Sequence, residues 1–345
     1  MKRPYSFIAP ALVLLVAPSV WPAAADVDPP WVVLEGQDGP GKGKHIVLVS
    51  GDQEYRSEET IPQLAKILAN RHGFKCTVLF TTDPKTGTVN PNVNNIEGLD
   101  ALKTADALVL FTRFLDLPDR QMKHIVDYVE AGKPVVGLRT ATHAFNIGGG
   151  KTYARFGNGS TVKGYEGGFG RLVLGEKWVA HHGAHGKEGT RGRLTEAGSK
   201  SPIFKGIKDG EIFGTTDVYV ADPPADSTIL LRGEVTETLE PDSKPVAGKK
   251  NDPMMPVAWT RTYQLPGEGC KPGKAFTTTM GASQDFGFEA TRRMIVNACY
   301  WAAGLEDKIP DKTNVDVVGE YKPTPFRFKK PEEWKPGVTP AALFK

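Results

Sequence analysis

Cysteine is scarce in this sequence and nowhere paired at short spacing. Its three cysteines, Cys76, Cys270 and Cys299, stand far apart, and without a Cys-x-x-Cys pattern a thiolate metal site is excluded. An oxidising compartment would permit one disulfide and leave one thiol. Cys76 lies in a strand-like run and Cys299 in a helix-like one, where both read as core fillers. Charge of one sign is also lacking: 43 Lys and Arg against 40 Asp and Glu leave a net +3. No basic stripe is interleaved with aromatics, which speaks against nucleic acid as a partner. No apolar run beyond the first 25 residues approaches the roughly 20 residues of a membrane helix, so no membrane span is expected in the mature chain. The most informative absence is a nucleophile. The segment "GLRTATHAFN" (137–146) follows the buried, strand-like Pro134-Val135-Val136. A sharp turn at the carboxyl end of a strand is where many α/β enzymes hold an attacking Ser or Cys. This one offers Arg139, Thr140, Thr142 and His143, but neither Ser nor Cys.

What is present begins with an export pattern. Lys2 and Arg3 form a charged start, Ala11–Val16 a short apolar core, and Ala23-Ala24-Ala25 a small-residue cleavage site. Together they predict a signal peptide over 1–25, cleavage before Asp26 and a periplasmic or secreted protein. The competing reading is an uncleaved anchor. Residues 26–43 read as a linker, 44–305 as the folded domain, and 306–345 as a Pro/Lys-rich tail, extended and wrapped over the surface.

From residue 44 apolar runs alternate with amphipathic ones. "HIVLVS" (45–50), "KCTVLF" (75–80), "ALVLF" (107–111) and "KPVVGLR" (133–139) read as strands. Residues 57–73 read as a helix with Ser57 as N-cap, Pro62 in or near its first turn and Gly73 as its stop; 118–132 read as a second. Strands apolar throughout need both faces covered, so the expected fold class is α/β, with a doubly wound, mostly parallel sheet. Residues 146–200 are glycine-rich and irregular, a length that marks a functional stretch rather than disorder because aromatics are embedded in it. Strand character returns at 211–233 and 255–280, and 288–304 read as a closing helix, with Asp285 as a candidate N-cap.

Ligands of such sheets bind beyond the carboxyl ends of the strands, and that is where the candidate residues fall. The first strand leads into Asp52, Glu54, Tyr55 and Arg56, the third into Arg113, the fourth into Arg139, Thr140 and His143. Three arginines at three strand ends suit a carboxylate, phosphate or polyhydroxyl ligand. Each could instead brace a loop by pairing with Asp52, Glu54 or Asp116. In "HHGAHGKE", His181, His182 and His185 fall within five positions. They read as a metal site completed by Glu188, Glu54 or Asp217, as general acid–base groups, or as structural hydrogen-bonders. Gln284 could reach the same rim, and Asp217 is either a ligand-facing carboxylate or a turn residue. His124 reads as solvated; His45 and His72, at element ends, as structural.

Taken in order, "HIVLVSGDQEYRSEE", "LVLFTRFLDLPDRQMKHIVDYVEAGKPVVGLRTATHAF", "GGFG", "HHGAHG", "SPIFKGIKDGEIFGTTDVY" and "PVAWTR…GKAFTTTMGASQDF…RRMIVNACYWAAG" resemble the ThuA-like trehalose-utilisation family. The likeness covers about 44–305, and the exported variety resembles those of planctomycete-type bacteria. The resemblance implies the flavodoxin-like, doubly wound fold of class I glutamine amidotransferases. In those enzymes the strand matching "PVVGLR" ends in a Gly-x-Cys elbow. Gly137-Leu138-Arg139 puts Arg at the nucleophile position, and thiolate chemistry needs the sulfur, so glutamine hydrolysis is excluded there. The resemblance also implies sugar metabolism, with a small-molecule carbohydrate, a keto-disaccharide or glycoside, as ligand.

Three functions follow. The first is an exported carbohydrate enzyme, a hydrolase, lyase or isomerase. His143 and His182 would transfer protons with Glu54 or Asp217, and Tyr55, Arg56, Arg113, Arg139, Thr140 and Gln284 would bind substrate. The second is a binding module without turnover. The third is a metal-dependent hydrolase or lyase on His181, His182 and His185. A divalent metal is the only cofactor left open, and the sequence assigns no oligomeric state.

Overall fold

A computed structural model describes residue 1, residues 29–334 and residues 337–345. The export-signal reading falls on residues outside these. No helix among the described residues is long and apolar enough to cross a membrane.

The strands are β1 (Trp31–Leu34), β2 (His45–Gly51), β3 (Lys75–Phe80), β4 (Ala107–Thr112), β5 (Val135–Leu138), β6 (Gly189–Leu194), β7 (Phe213–Gly214), β8 (Thr228–Thr236), β9 (Met255–Tyr263) and β10 (Gly273–Thr278). They form one sheet in the order β1-β3-β2-β4-β5-β10-β9-β8-β6-β7. The central run from β3 to β10 is parallel, and the remaining pairings are antiparallel. Successive side chains of a strand face opposite ways, and both faces are apolar here. Ile46 and Leu48 enter the core under α1 (Ser57–His72) and α4 (Glu289–Ala302), while Val47 and Val49 enter the core under α2 (Asp119–Glu130). This is an α/β, flavodoxin-like fold with an antiparallel wing on one side.

Several expectations are corrected. Trp31–Leu34, read as linker, pairs with β3 as an edge strand, and the loop after it satisfies carbonyls at the end of α1 through Gln37 N to Ala69 O and Gly41 N to His72 O, 2.9 and 2.8 Å. Ser57 is the first helical residue, not the cap; its hydroxyl accepts from Asp52 N at 3.0 Å, and Arg56 takes the cap position in left-handed backbone. Pro62 lies beyond the first turn of α1, where its missing N–H leaves one helical bond unmade. Asp285 does not cap α4. It sits in a 3-10 turn and accepts from Thr216 Oγ1 at 2.7 Å and from the Gly281 and Ala282 amides at 3.1 and 3.3 Å. The stretch read as irregular contains β6 and a short helix, α3 (Glu196–Lys200). Cys76 and Cys299 are buried, Cys270 is half buried, and all three are free thiols.

The chain after α4 crosses the α1 face and returns toward the strand ends. Thr324 N donates to Glu59 at 2.8 Å, Arg327 N to Glu54 O at 2.9 Å, and Val89 N to Val338 O at 2.8 Å.

Candidate active site

Among the described residues, three non-glycine residues adopt left-handed backbone: Arg56 (φ 61°), Phe114 (φ 49°) and Arg139 (φ 42°). Each follows the carboxyl end of a parallel strand, β2, β4 and β5 in turn. Such a conformation costs about 1–2 kcal/mol per residue for an L-side chain, and strain of this kind collects where a site is held in shape. The elbow at "GLR" is therefore real in backbone as well as in sequence.

Arg139 fills that elbow and is buried. Its Nη1 donates to the carbonyls of Asp217 and Thr279 at 2.8 and 2.7 Å, and its Nη2 reaches Asp217 Oδ1 at 3.1 Å and Tyr55 Oη at 3.2 Å. The guanidinium stacks on Tyr219 and Tyr55, 3.8 and 4.5 Å from the ring centres. Burial opposes its charge, but the two tyrosines and Asp217 keep it firmly protonated.

Asp217 is the hub. The histidine loop lies against it because His182 N and Gly183 N both donate to Val218 O, at 2.8 and 3.0 Å. Gly183 packs closely there: a Cβ would lie 3.1 Å from Asp217 Cβ, a tight contact. His181 Nδ1 stands 2.7 Å from Asp217 Oδ2, and His185 Nδ1 3.0 Å from Oδ1. His185 Nε2 faces Glu54 Oε1 at 3.3 Å. A carboxylate only accepts, so His181 carries its proton on Nδ1, and His185, facing carboxylates from both nitrogens, is an imidazolium. Hydrogen bonds to Asp217 and Glu54 raise its pKa to about 9. Burial alone would push Asp217 up, but the bonds from His181 and His185 and the charge of Arg139 hold it well below the usual carboxylate range.

The remaining predicted residues divide. Arg113 belongs to the cluster, its Nε 3.5 Å from Glu54 Oε2. Tyr55 is buried behind it, against Arg139. His182 turns away, Nε2 donating to Lys250 O at 2.8 Å. Glu188, considered as a metal carboxylate, is occupied by Lys250 at 2.7 Å and the Ala184 amide at 2.6 Å. Arg56 is buried, paired with Glu58 at 3.3 Å and lying over Trp334, so it braces a loop. Thr140 donates to Asp52 Oδ2 at 2.6 Å and has no exposed surface. Gln284 accepts from Thr215 Oγ1 at 3.5 Å, and none of its hydrogen bonds among the described residues is to a histidine. His143 is 2% exposed, packed by Phe114, Trp178 and Tyr219; burial first, then the charges of Arg113 and Arg139, hold its pKa well below the ordinary histidine value. It supports the floor of the site as a neutral ring.

Sequence reasoning missed Tyr219, Phe326 and Phe328. Tyr219 stands two residues after Asp217, the spacing at which extended residues share a face. His181, His185 and Asp217 each place one donor atom within 4.8 Å of the others, so these three, rather than the three histidines, could hold a metal ion. A surface depression of about 580 Å³ lined by Glu35, Lys42, Lys44, His45 and Lys75 lies at the amino ends of β2 and β3 instead. Its lysines are paired, Lys75 with Glu35 at 2.9 Å and Lys44 with Asp106 at 3.1 Å, so the strand carboxyl ends remain the candidate.

The sequence profile of the family ThuA, trehalose utilisation, matches residues 45–302. Among solved structures, a ThuA-like protein of Bacteroides uniformis is 13% identical, with 77% of this chain and 94% of that one covered and a TM-score of 0.46. A ThuA-like protein of Parabacteroides merdae is also 13% identical, with 84% and 98% covered and a TM-score of 0.43. No curated protein matches the sequence.

Proposed function

The chain belongs to the ThuA family, trehalose utilisation, and from that premise we propose that it is an exported enzyme that moves protons on a carbohydrate, a keto-disaccharide or keto-glycoside. The observation that carries the reading is the continuous line His181–Asp217–His185–Glu54 at the strand ends.

The two imidazoles have opposite assignments. His181 donates from Nδ1 to Asp217, which leaves its Nε2 lone pair as the base. His185 carries a proton on each nitrogen and is the acid. A sugar carbonyl oxygen would replace Glu54 as the partner of His185 Nε2. His181 Nε2 then takes a proton from the carbon next to the carbonyl. The C–H electron pair becomes the C=C bond of an enediol, the carbonyl π pair moves to oxygen, and His185 delivers its proton there. If His181 returns its proton to the former carbonyl carbon while the neighbouring hydroxyl gives its proton to His185, the sugar is isomerised. If instead the enol O–H returns its proton to His185 and re-forms the carbonyl, the C=C pair expels the β-oxygen, which leaves with the proton from His181, and the glycosidic bond is cleaved. Neither outcome needs a covalent nucleophile, which agrees with Arg139 in the elbow.

The test is a panel of native and oxidised disaccharides, read by product formation and by exchange of substrate hydrogen in D2O. His181→Asn and His185→Gln should each lower turnover by about 10²–10⁴-fold. Tight binding without exchange or product would favour the binding-module reading. A second reading, a divalent metal on His181, His185 and Asp217, is supported by their 4.8 Å clustering. Stoichiometric metal in protein purified without chelator, with activity lost on chelation, would favour it.

A further inference from the structure

We propose that the C-terminal tail completes the binding site, with Phe326, Phe328 and Arg113 forming a subsite for a pyranose ring of the substrate; this rests on the carbohydrate reading above. The family match ends at residue 302, so Phe326 and Phe328 lie outside the matched segment, while Arg113 lies within it.

Phe326 and Phe328 flank Arg327 in the tail. Arg327 N donates to Glu54 O at 2.9 Å, which fixes the segment beside the acid. Phe326 lies between two site residues, its ring centre 5.2 Å from that of Tyr55 and 4.7 Å from that of His185. It walls one side of the His185–Glu54 pair against water. Phe328 is 56% exposed, with the Arg113 guanidinium 5.0 Å from its ring centre. Phe114 stands 4.9 Å from the same guanidinium. Arg113 is thus held in place while its Nε lacks a hydrogen-bond partner among the described residues. Beyond Phe328 the chain is anchored by Lys329 to Glu58 at 3.4 Å and by Trp334 over Arg56.

An exposed aromatic face beside a planar donor fork matches the two sides of a sugar ring. The apolar C–H face stacks on the phenyl ring, and the rim of hydroxyl and carbonyl oxygens accepts from guanidinium. The subsite lies next to His185, so a ring held there presents its carbonyl to the acid.

The experiment measures binding of trehalose and of its mono-keto derivative to the full chain by calorimetry. Phe328→Ala should weaken binding about three- to tenfold with an unchanged melting temperature, since the ring is exposed. Phe328→Trp should bind as tightly as the parent, and Arg113→Met should lose affinity for the keto sugar more than for trehalose. Parent-like affinity in Phe328→Ala would overturn the subsite while leaving the carbohydrate reading intact. If the parent binds neither sugar, both are overturned.

Discussion

Arg139 and Asp217 form a buried ion pair, Nη2 to Oδ1 at 3.1 Å, with side chains 1% and 0% exposed. The pair joins the elbow of β5 to the hub of the histidine loop. Removing one partner of a buried pair leaves an uncompensated charge and costs about 3–5 kcal/mol. Arg139→Met should therefore destabilise the protein by about that amount in chemical denaturation. Arg139→Lys should lose most of the same stability, because an ammonium cannot serve the Asp217 and Thr279 carbonyls and Tyr55 together. A lysine variant as stable as the parent would show that the charge alone matters.

On the proposed mechanism, His185 should set the upper pH limit of turnover. Asp217 and Glu54 bond to it directly, His181 lies with its ring centre 4.5 Å away, and Arg113 and Arg139 face the same two carboxylates. Its folded pKa, about 9, is above the unfolded value. The stabilisation is fully present below about pH 6.5 and is lost as pH rises through about 9. Turnover should fall across the same upper limb because the acid is deprotonated. NMR titration of the His185 ring checks the assignment, and Glu54→Gln should bring its midpoint down by removing one anionic partner.

Substitution along the histidine loop should separate its three members. His181→Ala and His185→Ala should abolish turnover while retaining the fold. His182→Ala should keep turnover within about twofold, since it breaks only the bond to Lys250 O, worth about 1 kcal/mol. Circular dichroism and steady-state rates on the three variants distinguish these outcomes. A dead His182 variant with native structure would move the centre to the other side of the loop.

The segment from β2 to β5 was legible because its apolar runs are continuous and its helices carry a 3.6-residue stripe. The wing was harder to see: β6 reads "GTRGRL", with two glycines and two arginines. Those arginines pair with Glu234 on β8 at 2.6 and 2.9 Å, a partnership made across the sheet. The site was legible as a location but not as a set of roles. Arg56, Arg113 and Arg139 look alike as strand-end residues, and only packing separates the two that are buried from the one left partly exposed. His181 and His182 are neighbours in sequence but face opposite ways, because pairing with Val218 fixes the extended register. Phe326 meets Tyr55 from the far end of the chain, a contact that no local pattern signals.

Acid should reduce the stability that the floor of the site contributes. His143 is held neutral by burial and by nearby Arg113 and Arg139. Its folded pKa is below the unfolded one, so its stabilisation is fully present above about pH 6.5 and is lost as pH falls through the folded value. His45 and His72, also depressed chiefly by burial, act in the same direction. The parent should therefore lose stability between pH 7 and pH 5. His143→Gln keeps a neutral polar group that does not titrate; it should cost about 1 kcal/mol at pH 7 and show a smaller loss on going to pH 5. His72→Gln should show its own, independent reduction, because Tyr300 and Asn314 hold that ring at 2.9 and 2.7 Å near the far end of α1. Denaturant midpoints at the two pH values decide the matter. An acid loss in His143→Gln equal to the parent's would mean that His143 already carries a proton in the folded state, and that the floor of the site is wetter than its packing against Phe114, Trp178 and Tyr219 allows.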